Sequence, residues 1–248
     1  MGILAIDIET TSPFHKQEYV QENLDKTEVV ELLAVGIGYK EDIDGEITDS
    51  TVIFRQGSLG DEYTAKTIEK VCEWISNFNV EKTITFNGNR FDKTHLLNWS
   101  EQVNEYVESD LVDCIRNNIF GTHIDIRQLS TDNKFEDQLE SDGVDFNNTY
   151  YTDYFNSVQS NKLAMYAGRW GGNVNEFIVE GRDIGNLLGI LYIHKEFGLE
   201  DYYDDVVVDV NDYESINIEP LKEMIFDYTI NDIHPMFELY KKRIEYRP

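Results

Sequence analysis

The sequence predicts an α/β protein whose mixed sheet is flanked by helices. Three strand-like runs follow one another near the start as a meander, and after them strand and helix patterns alternate. A long helical pattern closes the chain. In order, residues 3–8 ("ILAIDI") read as the first strand, rich in β-branched residues. "ELLAVGIGYK" (31–40) and "STVIFRQG" (50–57) are the second and third, joined as a hairpin by the turn-rich "EDIDGEITD". Residues 61–78 carry helical spacing, with Ile68, Val71, Cys72 and Ile75 on one face. "KTITF" (82–86) is a fourth short strand that ends at the turn signal "NGN", and a helix is predicted to start at Phe91 or Asp92. "THIDI" (122–126) is the fifth strand.

The second half is harder to parse. The polar, acidic stretch 130–160 is expected to be an irregular insertion, and 200–217 an acidic loop around "VVVDV". Helices are expected over 160–170 and 182–197, and a long one over 218–244. No repeat, low-complexity linker or composition break divides the chain, so residues 1–248 are expected to form one domain.

Lys and Arg total 21 against 48 Asp and Glu, a formal charge of −27. Such a chain repels nucleic acid in dilute salt. At ~1 M salt, however, the Debye length falls to about 3 Å, and global repulsion no longer reaches a ligand. The charge is therefore read as an adaptation to concentrated salt; the aromatic content, 12%, argues against disorder. No window is apolar enough to span a membrane, and no basic-then-apolar leader is visible, so no membrane partner is expected. Cys72 and Cys114 match no zinc spacing and are expected to be reduced thiols in a cytoplasmic protein.

Three places combine carboxylates with structure. In the first strand Ile3, Ala5, Asp7 and Glu9 point to one face and Leu4, Ile6 and Ile8 to the other. Two neighbouring acids need a cation, a shared proton or a wet edge. In "TFNGNRFD", Asp92 falls near a helix start, where the dipole and free N–H groups favour an acid; a plain N-cap is the competing reading. In "YTIND", Tyr228 and Asp232 are four apart on a helix. Steps of 100° place Leu221, Ile225, Tyr228, Asp232, Met236 and Leu239 on one stripe, so Asp232 interrupts an apolar face. It must be paired, solvated or bound to a metal. Pro235 could kink the helix close to Asp232.

Taken together, "DIE", "NGNRFD" and "YTIND" resemble the three exonuclease motifs of the DEDD superfamily of 3′-to-5′ exonucleases, and most of all the proofreading domain of family-B DNA polymerases. "HIDIRQL" is similar to a segment those domains carry between the second and third motifs. Tyr228, four before Asp232, matches the tyrosine branch; the other branch has His five before, where this chain has Asp227. The resemblance implies a ribonuclease H-like fold and two Mg²⁺ or Mn²⁺ ions, ~3.5–4 Å apart, clamping the attacking and leaving oxygens. It implies that Asp7 bridges both ions, that Glu9 and Asp232 hold the ion activating water, that Asp92 serves the second, and that Tyr228 positions the water. The implied partner is the 3′ end of a single-stranded nucleic acid. Thr10 and Asn87 would touch the terminal nucleotide and Phe91 would pack beside it, unless it is core. Arg90 and Lys93 could meet phosphates or be surface charge. Trp170, with Tyr166 and Arg169 in "MYAGRWGG", would line the strand's groove or lie in the core. Two other readings stay open: a ribonuclease H-like scaffold without turnover, and an endonuclease of the same fold.

Overall fold

The computed structural model describes residues 2–15, 17–129, 134–145, 184–199 and 217–245. β1 (Ile3–Thr11), β2 (Glu31–Lys40) and β3 (Asp49–Phe54) form the antiparallel meander. β4 (Lys82–Thr85) lies parallel to β1 on its other side, and β5 (His123–Asp125) lies parallel to β4. The order is β3-β2-β1-β4-β5, a mixed five-stranded sheet consistent with a ribonuclease H-like arrangement.

Parallel neighbours need crossovers, and helices supply them. After the short α1 (Gln17–Glu22), α2 (Asp61–Ile75) links β3 to β4. Between β4 and β5 come α3 (Asp92–Val103) and α4 (Leu111–Asp113), the latter continued by a π-helical stretch Cys114–Ile119. Beyond the sheet lie α5 (Phe135–Asp142), α6 (Gly189–Phe197) behind a π-helical turn Ile184–Leu188, and α7 (Ile218–Glu245).

The alternation of β1 decides which helices cover which face. Leu4, Ile6 and Ile8 pack with Ala65, Ile68 and Val71 of α2 and with Leu96 and Trp99 of α3. Ile3 and Ala5 pack with Ile233, Met236 and Phe237 of α7. The carboxylates of β1 therefore share the α7 side.

α7 comes close to the sheet because β2 carries glycine beneath it. A Cβ on Gly36 would stand 2.4 Å from Thr229 Cγ2, and one on Gly38 2.7 Å from Ile233 Cγ2. Gly36 is the register partner of Asp7. The register then shifts between Glu9, opposite Ala34, and Thr10, opposite Leu32. Leu33 is the extra residue, and it joins Ala34 in the cluster with α6 and the start of α7.

Several expectations change. The strand predicted to 57 stops at Phe54, because Arg55 turns inward. Its guanidinium, buried, donates to Leu32 O at 2.7 Å and Gly60 O at 3.1 Å and pairs with Glu31 at 3.0 Å. The helix predicted to 78 ends at Ile75. Within the supposed irregular insertion, Phe135–Asp142 is helical, with Gly143 at φ 61 as its left-handed cap. α7 runs unbroken through Pro235. The two thiols are not free: Cys72 and Cys114 form a disulfide, their Cα atoms 6.2 Å apart. Their 42-residue separation along the chain hid the fact that α2 and the stretch after α4 pack on the same sheet face. The expected helix at 160–170 and acidic loop at 200–217 lie outside the described residues, apart from Asn217. Among the described residues no helix is long and apolar enough to cross a membrane.

Candidate metal centre

The ladder between β1 and β4 ends at the pair Ala5–Ile84, while β1 runs on against β2 alone. Past that point the N–H of Ile8 has no strand partner on the β4 side. Asp92, buried at the first position of α3, fills the gap: its Oδ1 accepts the Ile8 N–H at 3.0 Å. One acid of the second motif is thus fastened to the strand that carries the first.

Asp232 arrives from the opposite direction on α7. One oxygen from each of Asp7, Glu9 and Asp232 lies within 4.8 Å of the other two. Asp7 also lies against the Asp92 and Glu9 carboxyls, contacts that lower it. The Asp7–Asp92 contact raises Asp92 and lowers Asp7. Tyr228 donates to Asp232, its i+4 neighbour. Thr229 Oγ1 gives its proton to Ile225 O at 2.8 Å, so its 3.4 Å approach to Glu9 Oε1 is a weak contact.

Burial and mutual repulsion dominate the electrostatics. Burial, then the charge of Asp232, pushes Asp7 up to about 8. Burial, then Glu136 and Asp92, pushes Asp232 up to about 8. Glu9 is raised well above the ordinary carboxyl range by burial and then by Asp7, and Asp92 by the same two causes. The Tyr228 hydroxyl is raised well above its usual value by burial and then Asp232, so it stays protonated. Among the described residues no Lys or Arg forms an ion pair with any of the four acids. A site made of oxygen donors, short of positive charge, suits a hard divalent cation. Asp7 and Asp232 are only half-buried, which leaves a way in from solvent.

The other predicted residues divide. Thr10 is half-buried just past the bulge. Asn87, at φ 67, is tied up in its own turn: its N–H donates to Asp125 Oδ1 at 2.8 Å, and its side-chain oxygen accepts from the Arg127 guanidinium. Phe91 packs against the core below α3, its ring edge-on to His95 at 4.7 Å. Arg90 is exposed. Trp170, Tyr166 and Arg169 lie outside the described residues.

Three contributors were not singled out from sequence. Asp125 accepts the N–H groups of Asn87, Asn89 and Arg127 at 2.8, 3.1 and 3.1 Å, and so shapes the turn that delivers Asp92. It sits in "HIDIRQL", where a lone Asp next to a strand end was the available signal. Glu136 of α5 adds negative charge beside Asp232 and Tyr228, from a stretch with no periodic signal. Thr229 abuts Glu9 from α7.

No protein-family model and no curated protein matches this sequence. Among solved structures, the family B DNA polymerase from the hyperthermophilic archaeon Pyrobaculum calidifontis is similar to this chain with a TM-score of 0.40 and 12% identity, over 98% of this chain and 24% of the polymerase. The chain thus spans about a quarter of that protein's length. Independently of that likeness, the cluster of Asp7, Glu9 and Asp232 could bind a metal ion.

Proposed function

We propose that this chain is a metal-dependent 3′-to-5′ exonuclease of the tyrosine branch of the DEDD superfamily, a single ribonuclease H-like domain over residues 1–248 that trims single-stranded DNA or RNA. The observation that carries the reading is the convergence of Asp7, Glu9 and Asp232 within 4.8 Å, from opposite ends of the sequence. Asp92 hydrogen-bonded to Asp7 and Tyr228 to Asp232 support it.

Two divalent ions, Mg²⁺ or Mn²⁺, would be held by Asp7, Glu9, Asp92 and Asp232. When bound, such ions would supply Lewis-acid charge at a phosphoryl group and lower the pKa of water, so that hydroxide is available as the nucleophile near neutral pH. The protein's own groups do the rest. The ionised form of these acids would be favoured by a bound cation, because positive charge reverses the cost of ionising them that burial and mutual repulsion impose. Tyr228 keeps its proton and orients the attacking water, since a neutral phenol is a poor base at pH 7. Thr10 and Arg90 are the described side chains left to contact the terminal nucleotide, because Asn87 and Phe91 are engaged elsewhere.

The test is digestion of 5′-labelled single-stranded DNA and RNA in high KCl with Mg²⁺ or Mn²⁺. The expected product is a ladder of shortened strands, lost in Asp7→Ala and Asp232→Asn. Cleavage of circular single strands would instead make it an endonuclease. Poor Mn²⁺ binding by calorimetry with every oligonucleotide left intact would make it a scaffold.

A further inference from the structure

Among the described residues β3 is an edge of the sheet, bonded to β2 on one side. Which of its backbone groups point away can be read from the ladder. Phe54 is opposite Ala34, and the Arg55 N–H bonds Leu33 O at 2.8 Å, so that pair exchanges no bonds of its own. Alternation then turns the N–H and C=O of Ser50, Val52 and Phe54 outward; of these, Phe54 O is taken by the Gln56 side chain at 2.7 Å.

Proteins usually blunt such an edge with a charge, a proline or a bulge. The one charge on β3 is Asp49 at its exposed start; Ser50–Phe54 carries none, in a chain with 28% charged residues, and no proline or bulge breaks it. The edge is instead the floor of a groove of about 720 Å³. Trp74 of α2 walls one face, and Phe226 of α7, 39% exposed, walls the other.

The groove also departs from the protein's charge. The chain has more than twice as many acids as bases, yet Lys70 and Lys222 line the groove against one acid, Glu73. Glu73 pairs with Lys70 at 2.6 Å. The Lys222 ammonium lies 5.5 Å from the centre of the Phe54 ring and, among the described residues, makes no ion pair.

We propose that the β3 edge is a docking site for an extended segment of another protein, added to the sheet as a sixth strand. The segment has apolar side chains at alternating positions and a carboxylate that meets Lys222. The outward amides call for a strand, the aromatic walls for apolar side chains, and Lys222, without an ion pair among the described residues, for an acid. A second copy of this chain fits poorly: it would bring its own α2 and α7 against these walls. The proposal is independent of the nuclease reading.

The probe is a displayed library of random peptides of about eight residues, a common strand length, selected on the intact protein. Selected peptides should alternate apolar residues, carry Asp or Glu, and lack internal proline. Val52→Pro removes an N–H that faces outward and leaves the ladder to β2 whole, so it should weaken binding at least about tenfold. Lys222→Glu should weaken it less, and by an amount that shrinks with salt. Should Val52→Pro fold badly, N-methylation of alternate amides in a selected peptide replaces it. Binding should be lost when the methylated amides are those facing β3 and kept when they face away. Failure to enrich any such pattern, or equal tolerance of both methylation series, overturns the proposal.

Discussion

Asp92 Oδ1 accepts the backbone N–H of Ile8 at 3.0 Å, across 84 residues of sequence. One side chain therefore has two tasks. It completes the hydrogen bonding of β1 where β4 has peeled away, and it sets a carboxyl against Asp7. The N-cap reading of Asp92 does not hold: Phe91 is the cap residue, Asp92 is the first residue of the helix, and the N–H it satisfies belongs to a strand.

The two tasks can be separated by substitution. Asp92→Asn keeps an acceptor oxygen for Ile8 and removes a buried, proton-sharing acid. We expect it to fold with a melting temperature at or above that of the parent and to bind Mn²⁺ more weakly. Asp92→Ala leaves the Ile8 N–H unsatisfied in a buried place, which costs ~1–3 kcal/mol. Chemical denaturation and Mn²⁺ calorimetry on the pair check this. Equal destabilisation by both variants would remove the backbone role.

The acids also set a pH dependence. Asp7 and Asp232 are held at about 8 in the folded protein, against ordinary values near 3.8. Between those values the folded state binds more protons than the unfolded one, so this contribution falls as pH rises. It is intact below about pH 4 and lost as pH passes about 8. In EDTA, the parent should therefore lose melting temperature relative to Asp7→Asn as pH is raised from 5 to 8. Added Mn²⁺ should reverse the order of the two proteins at pH 8, because a bound ion stabilises the ionised acids. Parallel pH curves for the two proteins in EDTA would contradict the raised position of Asp7 within this cluster of acids.

Much of this was legible from residue patterns, for specific reasons. Alternation in "ILAIDIE" correctly put Asp7 and Glu9 on one face, because a central strand with helices on both sides has two apolar faces to fill and leaves the acids conspicuous. The stripe on α7 placed Asp232 among buried residues for the same reason. What escaped depends on distance in space. Nothing local in "ELLAVGIGYK" says that Gly36 lies under Thr229, or that Leu33 is the bulge residue beside Glu9. The pairing of Cys72 with Cys114 escaped likewise, and so did Glu136, an exposed acid among many until α5 sets it beside Asp232.

Gly36 offers a way to move one motif against another. Its Cβ would stand 2.4 Å from Thr229 Cγ2 and 3.0 Å from Ile233 Cγ1. Valine there suits the strand but forces α7 away from the sheet, at a cost of ~1–3 kcal/mol for overpacking. Asp232 rides on that helix, whereas Asp7, Glu9 and Asp92 do not. Gly36→Val should therefore lose Mn²⁺ affinity out of proportion to its loss of stability. A variant that is destabilised yet binds Mn²⁺ like the parent would show that the helix can shift without carrying Asp232 off.

The net charge of −27 gives the last prediction. At low ionic strength the Debye length, ~30 Å at 0.01 M, spans the molecule, so every acid feels the rest; at 1 M it shrinks to ~3 Å and only neighbours matter. Compaction brings like charges together, so the folded state suffers more from the repulsion than the unfolded chain does. The melting temperature should climb as KCl is raised from 0.01 to 1 M, and most of the climb should come early, where the screening length changes most. Choline chloride should do nearly as well as KCl if screening is the cause. Mn²⁺ at micromolar concentration should add a further increment that Asp7→Asn lacks, because that increment belongs to one site and not to the surface. A melting temperature unmoved by KCl would mean that the acids are spaced widely enough to ignore one another, and the charge would then say nothing about the solvent in which this protein works.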